Sequence, residues 1–409
     1  MITRLLVANR GEIARRVFAT CRRLGIETVA VHSDADAGLP FVAEADQAVR
    51  LPGNAPADTY LRVDLVVEAA QRSGADAVHP GYGFLSENAD LARAVIDADL
   101  TWVGPPPEAI EAMGDKVRAK EIAAKAGVPV LSAPDDPTEA DLPLLVKASA
   151  GGGGRGMRVV RTLDRLDAEV EAARAEALSA FGDGTVFVEP YVEAGRHVEV
   201  QVWATVGGAN VSVLGARDCS VQRRHQKVVE EAPPPGISEV TLRAMYDAAR
   251  SLTTAVGYEG VGTVEFLFDA GSDEDRAQET GEPGRFWFLE MNTRLQVEHP
   301  VTEAVLPGVD LVELQLEAAD PAGMLVLAGA TPEGHAVEVR LYAEDASYVP
   351  QSGRLVTFDL PADATFGPLD RAGVRVDAGF TSGDEVSTHY DAMLAKVIAW
   401  APTRRHAVR

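Results

Sequence analysis

The sequence predicts a protein of mixed α/β and α+β class: an open parallel α/β domain, then a domain of longer antiparallel strands, then a smaller β-rich region. Three observations predict it. Short β-branched runs alternate with helical patterns over residues 3–104, the strands lengthen between Pro143 and Phe268, and turn-rich short β segments follow from about Gly334. At 409 residues the chain also exceeds what one hydrophobic core supports, so two or three domains are expected.

Taken in order, RLLVAN, TVAVHS, AVHPG and TWVG read as strands, with helices from Gly11 to Leu24 and from Tyr60 to Ser73. That is the order of a parallel sheet with crossover helices. Consecutive prolines after Gly104 break the pattern, and a helix from Asp115 to Ala126 follows, so a boundary falls near 113. The second region contains LPLLVKAS, MRVVR, VFVEPYV, HVEVQVWAT, VSVLGARD and GTVEFLF. In the third, HAVEVRLYAED and GVRVDAGFTSGDEV suggest short β segments, and Thr403 to Arg409 reads as the start of a helix that the chain does not finish. The expected domains are 1–113, 114–325 and 326–409, the last incomplete.

Composition narrows the function classes. With 46% hydrophobic and 24% charged residues the chain reads as globular and soluble. The 38 basic against 62 acidic residues, net charge −24, argue against nucleic acid or an anionic membrane as partner. Any anionic substrate must therefore meet local clusters of Lys and Arg. Cys21 and Cys219 stand far apart and without ligand spacing, so neither a disulfide framework nor a zinc site is indicated and a reducing cytoplasm is the expected home. The apolar LLVA near the start is too short for a signal-peptide core, and no later stretch reaches membrane-spanning length.

Several segments carry candidate chemistry. In FWFLEMNTRLQVEHPVTE (286–303), Glu290, Asn292, Arg294, Gln296 and Glu298 occupy every second position, so one strand would project all five from one face. Such a face suits metal-bound phosphates beside a small anion and a base, although ordinary polar alternation on a solvated edge strand gives the same pattern. AGGGGRGMRVV (150–160) fits G-x-G-x-x-G through Gly151, Gly153 and Gly156, but the continuation is strand-like, so a dinucleotide fold is excluded. Its reading is a mobile flap over phosphates, with Lys147 on the strand leading in and Arg155 within it; a flexible hairpin linker is the plainer reading. Lys116 and Lys147 are candidate phosphate ligands, each otherwise an ordinary surface lysine. Glu265 and Glu290 are carboxylates inside apolar strands, which a metal or a cation must offset; with Asn292 they offer oxygen donors of the kind magnesium prefers. The acidic stretch 270–285 reads as an exposed hairpin loop without a metal role. RDCSVQRRHQKVVEEAP (217–233) gathers Arg217, Arg223, Arg224, His225 and Lys227, in so acidic a chain a local site for anions.

HPGYGFLSEN (79–88), MGDKV (113–117), KASAGGGGRGMR (147–158), RDCSVQRRHQKVVEEAP and EMNTRLQVEHPVTE (290–303), in this order and spacing, closely resemble biotin carboxylase, an ATP-grasp component of acetyl-, propionyl- and related acyl-CoA carboxylases. The resemblance runs from the first residues to about Trp400, and its last three motifs are the most specific. It implies an N-terminal parallel α/β domain, a central ATP-grasp domain with a mobile lid over about 131–203, and a C-terminal β-rich domain.

The resemblance further implies that Lys116 and Lys147 bind nucleotide phosphates under a flap of Gly151, Gly152, Gly153, Gly154, Arg155 and Gly156. Glu189 and Val192 would border the adenine, and His197, Gln222 and His225 would lie along the ribose and phosphates of ATP. Glu265, Glu290 and Asn292 would hold Mg²⁺ or Mn²⁺. Lys227, Arg294, Gln296 and the Val297 N–H would cradle bicarbonate, Glu298 would remove its proton, Arg340 would stabilise the biotin enolate, and Tyr82 would line the biotin pocket. The implied reaction is carboxylation of biotin through carboxyphosphate. Ala150 stands where some relatives have glycine, and Tyr342 where Asn is common. The chain lacks the Ala/Val-Met-Lys-Met attachment signature, so the implied partners are a biotin carboxyl carrier domain, downstream or in trans, a carboxyltransferase, and a second copy in a homodimer. The alternatives are the same module in a pyruvate or urea carboxylase, another ATP-grasp ligase joining an acid to an amine, and an inactive nucleotide-binding fragment.

Overall fold

Strands β1 (Arg4–Val7), β2 (Glu27–His32), β3 (Gln47–Arg50), β4 (Ala77–His79) and β5 (Thr101–Trp102) form a parallel sheet in the order β3-β2-β1-β4-β5. The computed structural model to which they belong describes residues 1–134, 136–149, 157–208, 210–223, 226–272, 280–320 and 331–409. Helices α1 (Gly11–Leu24), α2 (Pro40–Glu44), α3 (Val63–Ser73) and α4 (Ala89–Asp97) connect the strands. Leu5, Leu6, Val7, Val29, Ala30 and Val31 are fully buried, the continuous apolar run that a parallel sheet covered on both faces requires. Edge strand β3, QAVR, has no such run and carries no strand signal in the sequence. Helix α1 ends where the Gly25 backbone turns left-handed at φ 73° and its N–H meets the Arg22 carbonyl.

After α5 (Pro107–Gly114) comes α6 (Lys116–Lys125), whose N-cap Asp115 accepts from Val117 N at 3.0 Å and Arg118 N at 3.1 Å. Strands β6 (Leu144–Ala148), β7 (Arg158–Val160) and β8 (Val186–Pro190) with α7 (Leu166–Phe181) then form a small unit of their own, sheet order β7-β6-β8. Its core is Leu144, Val146, Val160 and Ala173, separate from the larger cores.

The main sheet is built from β9 (Gly195–Ala204), β10 (Val211–Arg223), β11 (Gln226–Ala232), β12 (Gly260–Asp269) and β13 (Phe286–Asn292), with α8 (Glu239–Ala255) between β11 and β12. Beyond β13 come α9 (His299–Val305) and α10 (Leu311–Ala319), then β14 (His335–Tyr342), a small ribbon of β15 (Gly353–Arg354) with β17 (Glu385–Val386), strands β16 (Gly373–Ala378) and β18 (Met393–Ala401), and α11 (Arg404–Ala407). The antiparallel order is β13-β12-β9-β10-β11-β14-β18-β16, so β11–β14 pairing carries one sheet across position 326. Strand β9, within the range expected for the lid, is seated in this sheet between β12 and β10.

Alternation gives the sheet two unlike faces. Val198, Val200, Val202, Val264, Phe266 and Phe268 pack with Met245, Ala249 and Leu252 of α8. On the opposite face the register sets Glu290, Glu265, Glu199 and Arg217 side by side across four strands. Farther along, Glu230, Glu338, Arg340, Lys396 and Asp377 continue the ionic face.

Two segments depart from the sequence expectation. The strand read through Glu290 to Glu298 stops at Asn292: residues 293–297 form a loop, and Glu298, at φ −82° and ψ 12°, leads into α9 with Pro300 in its first turn. Proline has its φ preset for a helix start and no N–H for a ladder, so the chain leaves the sheet. Arg294, Gln296 and Glu298 therefore reach the site from a loop and a helix start. The basic run 217–233, for its part, lies in the β10–β11 hairpin. Arg217 is fully buried and Arg223 pairs with Glu344 at 2.6 Å outside the cleft, so among the described basic residues of that run only Lys227 lines it.

Candidate active site

Between the small unit and the ionic face of the main sheet lies a cleft of about 560 Å³. It is lined by Lys116, Lys147, Glu189, Val192, His197, Gln222, Lys227, Glu265, Glu290, Asn292, Arg294, Gln296, Val297, Glu298 and Arg340, all singled out from the sequence. Tyr82 lies in an adjoining cavity of about 350 Å³ that shares Arg294, Val297 and Arg340 with the cleft. Gly151, Gly152, Gly153, Gly154, Arg155, Gly156 and His225 lie outside the described residues.

At one end, the buried Glu189 carboxylate of β8 is held between two lysines, Lys147 of β6 and Lys120 of α6. Lys120 also donates to Leu131 O at 3.2 Å, and its ammonium sits 4.5 Å from the Phe187 ring centroid. Burial pulls the Lys120 pKa below the usual lysine range, and Glu189 only partly restores it. Lys120 was missed in the sequence. Its signal was the spacing: four residues after Lys116, it shares a face of α6 with it.

At the other end one ammonium meets three carboxylates. Lys227 Nζ donates to Glu199 Oε2 at 2.6 Å, Glu298 Oε1 at 2.7 Å and Glu265 Oε1 at 2.9 Å. Burial opposes the charge, but the three glutamates outweigh it and hold Lys227 well above the ordinary lysine range. Glu298, itself fully buried, accepts at its other oxygen from Arg340 Nη2 at 3.0 Å. Burial would raise its pKa, yet Lys227, Arg340 and Arg217 together hold it well below the usual carboxylate range. Beneath them Arg217 donates to Glu199 at 2.5 Å, Gln201 at 2.6 Å and Thr302 at 2.8 Å, fixing the Glu199 carboxylate from behind.

The neighbouring contacts set the remaining side chains. Arg294 Nε donates to Glu87 Oε2 at 3.0 Å and Nη1 to Gln296 Oε1 at 3.0 Å, while Gln296 Nε2 donates to Glu265 Oε1 at 3.0 Å and to Asn292 Oδ1. His197 Nε2 lies 2.7 Å from Glu265 Oε2, an ion pair off the hydrogen-bond direction. Burial opposes the His197 charge, and Glu265 raises its pKa in spite of it. Arg340 Nε also donates to Glu230 Oε1 at 2.7 Å. Burial and Glu298 raise Glu230 to about 7 although Arg340 opposes them. The two carboxylates sharing Arg340 are thus driven apart in acidity. Glu199 also escaped notice in the sequence, although His197, Glu199 and Gln201 alternate with buried valines. Glu230 and Glu87 show no such pattern.

Glu265 and Glu290 are direct partners across β12–β13, and cross-strand side chains lie about 5 Å apart, so their oxygens, with the Asn292 carbonyl, fit a hard divalent cation. Glu265 would exchange its Lys227 or His197 contact to bind one.

A lysine-rich pocket facing a carboxylate pair, with a small sheet on one side and a large antiparallel sheet on the other, defines an ATP-grasp enzyme. The comparisons agree. The family described as "Carbamoyl-phosphate synthase L chain, ATP binding domain" matches residues 115–324, "Biotin carboxylase, N-terminal domain" matches 1–110, and "Biotin carboxylase C-terminal domain" matches 338–409. Biotin carboxylase of Haemophilus influenzae is 44% identical over all of this chain and 89% of its own length. A biotin carboxylase from Campylobacter jejuni, solved as a β-γ-ATP complex, superimposes with a TM-score of 0.90 at 37% identity, over all of this chain and 89% of that one. The biotin carboxylase domain dimer of Hydrogenobacter thermophilus 2-oxoglutarate carboxylase, solved with MgADP, ADP and bicarbonate, gives 0.87 at 40% identity, over 100% and 88%. The chain belongs to the biotin carboxylase family. Among the described residues no helix is long and apolar enough to cross a membrane.

Proposed function

We propose that this chain carboxylates biotin with ATP and bicarbonate, binding ATP at the lysine end of the cleft and bicarbonate at the glutamate end. The observation that carries the reading is Glu298: a buried, ionised carboxylate with Lys227 on one oxygen and Arg340 on the other, beside Arg294 and Gln296. So depressed a carboxylate is a weak base while both cations hold it. Bicarbonate bound by Lys227, Arg294, Gln296 and the Val297 N–H takes over the Lys227 contact, which raises the basicity of Glu298 where a proton must be removed.

The deprotonated oxygen attacks the γ-phosphorus of ATP and ADP leaves, giving carboxyphosphate. Lys116 and Lys147 neutralise phosphate charge during transfer, with Lys120 beside them, and Glu189 yields its lysines to the nucleotide. Val192 borders the adenine, and His197 and Gln222 lie along ribose and phosphates. Glu265, Glu290 and Asn292 would hold Mg²⁺ or Mn²⁺, which supplies further neutralisation of the phosphates when bound. Carboxyphosphate breaks down to CO₂ and phosphate, the phosphate takes the biotin N1 proton, and the ureido enolate captures CO₂. Arg340 sits at the wall shared by the cleft and the Tyr82 cavity, where it balances the enolate oxygen. The small β6-β7-β8 unit closes over the site and excludes water from the intermediate.

The likeness to alpha chains of propionyl-CoA and other acyl-coenzyme A carboxylases supports a biotin carrier domain as partner, with a carboxyltransferase to use the product. A homodimer is proposed on the likeness to a solved domain dimer. The testing experiment is ADP release from ATP and Mg²⁺ with bicarbonate and free biotin supplied singly and together. Stimulation by both together is expected; turnover driven by an amino substrate without bicarbonate would refute the reading.

A further inference from the structure

Behind the loop that delivers Val297 and Glu298 stand two buried groups that the reaction does not use. His299 is fully buried, and its Nδ1 lies 2.7 Å from the Gln296 carbonyl oxygen. A carbonyl only accepts, so Nδ1 carries the proton. Nε2 is buried without a hydrogen-bond partner. Burial, reinforced by Lys396, Arg16 and Arg375, pushes the His299 pKa well down, so the ring is neutral. Lys396 of β18, also fully buried, donates from Nζ to the next carbonyl, Val297 O, at 2.8 Å. Glu12 of α1 lies 3.3 Å from this ammonium as an ion-pair partner, and neither Glu12 carboxylate oxygen has a hydrogen-bond partner among the described residues. Two consecutive carbonyls are therefore gripped, one by an imidazole and one by an ammonium brought from the other end of the chain.

The front of the same loop is different. Among the described residues the Val297 N–H meets no protein acceptor, and Val297 lines both cavities. In a planar trans peptide the N–H points opposite to the carbonyl, so fixing Gln296 O fixes the direction of the Val297 N–H. A donor on the carbonyl also polarises the amide and strengthens the N–H on its far side.

We propose that His299 and Lys396 are positioning residues which clamp this loop from behind: His299, on the Gln296–Val297 peptide, aims and polarises the Val297 N–H for bicarbonate, and Lys396, on the peptide that follows, holds Val297 in that orientation. This rests on the bicarbonate reading above. It assigns the two residues to affinity for the small anion, not to ATP and not to the fold.

The test is the Val297 amide itself, followed by NMR in the full chain labelled with ¹⁵N-valine and assigned by its loss in Val297→Ala, as bicarbonate is added. In His299→Phe the midpoint of the response is expected to rise about tenfold, the worth of one hydrogen bond. His299→Asn, whose amide N–H stands where Nδ1 stood, is expected to stay within about threefold of the parent. The pair Lys396→Met with Glu12→Gln, which removes both members of the Lys396–Glu12 ion pair, is expected to raise the midpoint about three- to tenfold. A change below about twofold in both His299→Phe and the Lys396 pair overturns the clamp, and if His299→Phe does not fold the Lys396 pair decides alone. If Val297 in the parent protein ignores bicarbonate, the anion reading falls and the clamp with it; a parent response that His299→Phe and the Lys396 pair leave intact overturns only the clamp.

Discussion

The two ends of the cleft use the same pair of residue types in opposite proportion. At the proposed nucleotide end two lysines, Lys120 and Lys147, share the single carboxylate of Glu189. At the proposed bicarbonate end three glutamates, Glu199, Glu265 and Glu298, share the single ammonium of Lys227. One end carries a surplus positive charge and suits a polyphosphate. The other carries a surplus of carboxylate, offset by Arg217 and Arg340, and suits a metal cation and a proton acceptor. The difference also separates the supports. Glu189 and Lys147 belong to a small sheet with its own slight core, whereas Lys227 and its glutamates are gathered by the main sheet and the loop after it. Local charge stoichiometry can thus prepare a strongly acidic chain to bind two anions side by side.

The two ends differ most at Glu298, the proposed proton acceptor. Glu298→Gln removes the proton acceptor but keeps the shape, and bicarbonate-dependent ADP formation is expected to fall by about 10²- to 10⁴-fold, with ATP binding unchanged by equilibrium dialysis. Retained turnover would remove Glu298 from the proton transfer.

Lys227→Met leaves buried carboxylates facing one another without their ammonium. Unfolding stability is expected to drop by about 3–5 kcal/mol, read from urea midpoints, with activity lost as well. At the opposite end Lys147→Gln removes one of the two charges on Glu189. A rise of about 10- to 100-fold in the KM for ATP is expected, the worth of a charge-assisted hydrogen bond, while the KM for bicarbonate changes less than about twofold. A bicarbonate KM that moved with it would join the two ends.

The smallest effect lies in pH. The Glu230 pKa is raised to about 7 from an ordinary 4.5, so the stability linked to its neutral form is complete below 4.5 and lost as pH rises through about 7. Glu230→Gln is expected to flatten the urea-stability profile over that window by up to ~1.4 kcal/mol per pH unit. Glu298 has the opposite sign: its pKa is depressed, so its contribution is present above 4.5 and lost only as pH falls toward the lowered value. An unchanged slope in Glu230→Gln would assign the titration to another group.

Much of this site is legible in the amino-acid sequence, and the limits are instructive. Local alternation reveals Glu265 and Glu290 because each interrupts an apolar strand, and their pairing across β12–β13 follows from one hairpin. The loop after Asn292 is hidden because polar alternation through Glu298 imitates a strand, and Pro300 turns the chain into a helix instead. Lys120 is within reach of helical spacing. Lys396, Glu230 and Arg217 are not marked as partners because their places depend on register among strands far apart in sequence, and a period of two residues specifies a face but not a neighbour.

Transfer through carboxyphosphate is tested most directly by following oxygen from bicarbonate into phosphate. With ¹⁸O-bicarbonate, ATP, Mg²⁺ and biotin, attack of the bicarbonate oxygen on the γ-phosphorus predicts one ¹⁸O in each inorganic phosphate released at early turnover. Phosphate free of ¹⁸O while biotin is carboxylated would contradict transfer through carboxyphosphate and, with it, the role given to the Glu298, Lys227 and Arg340 end of the cleft.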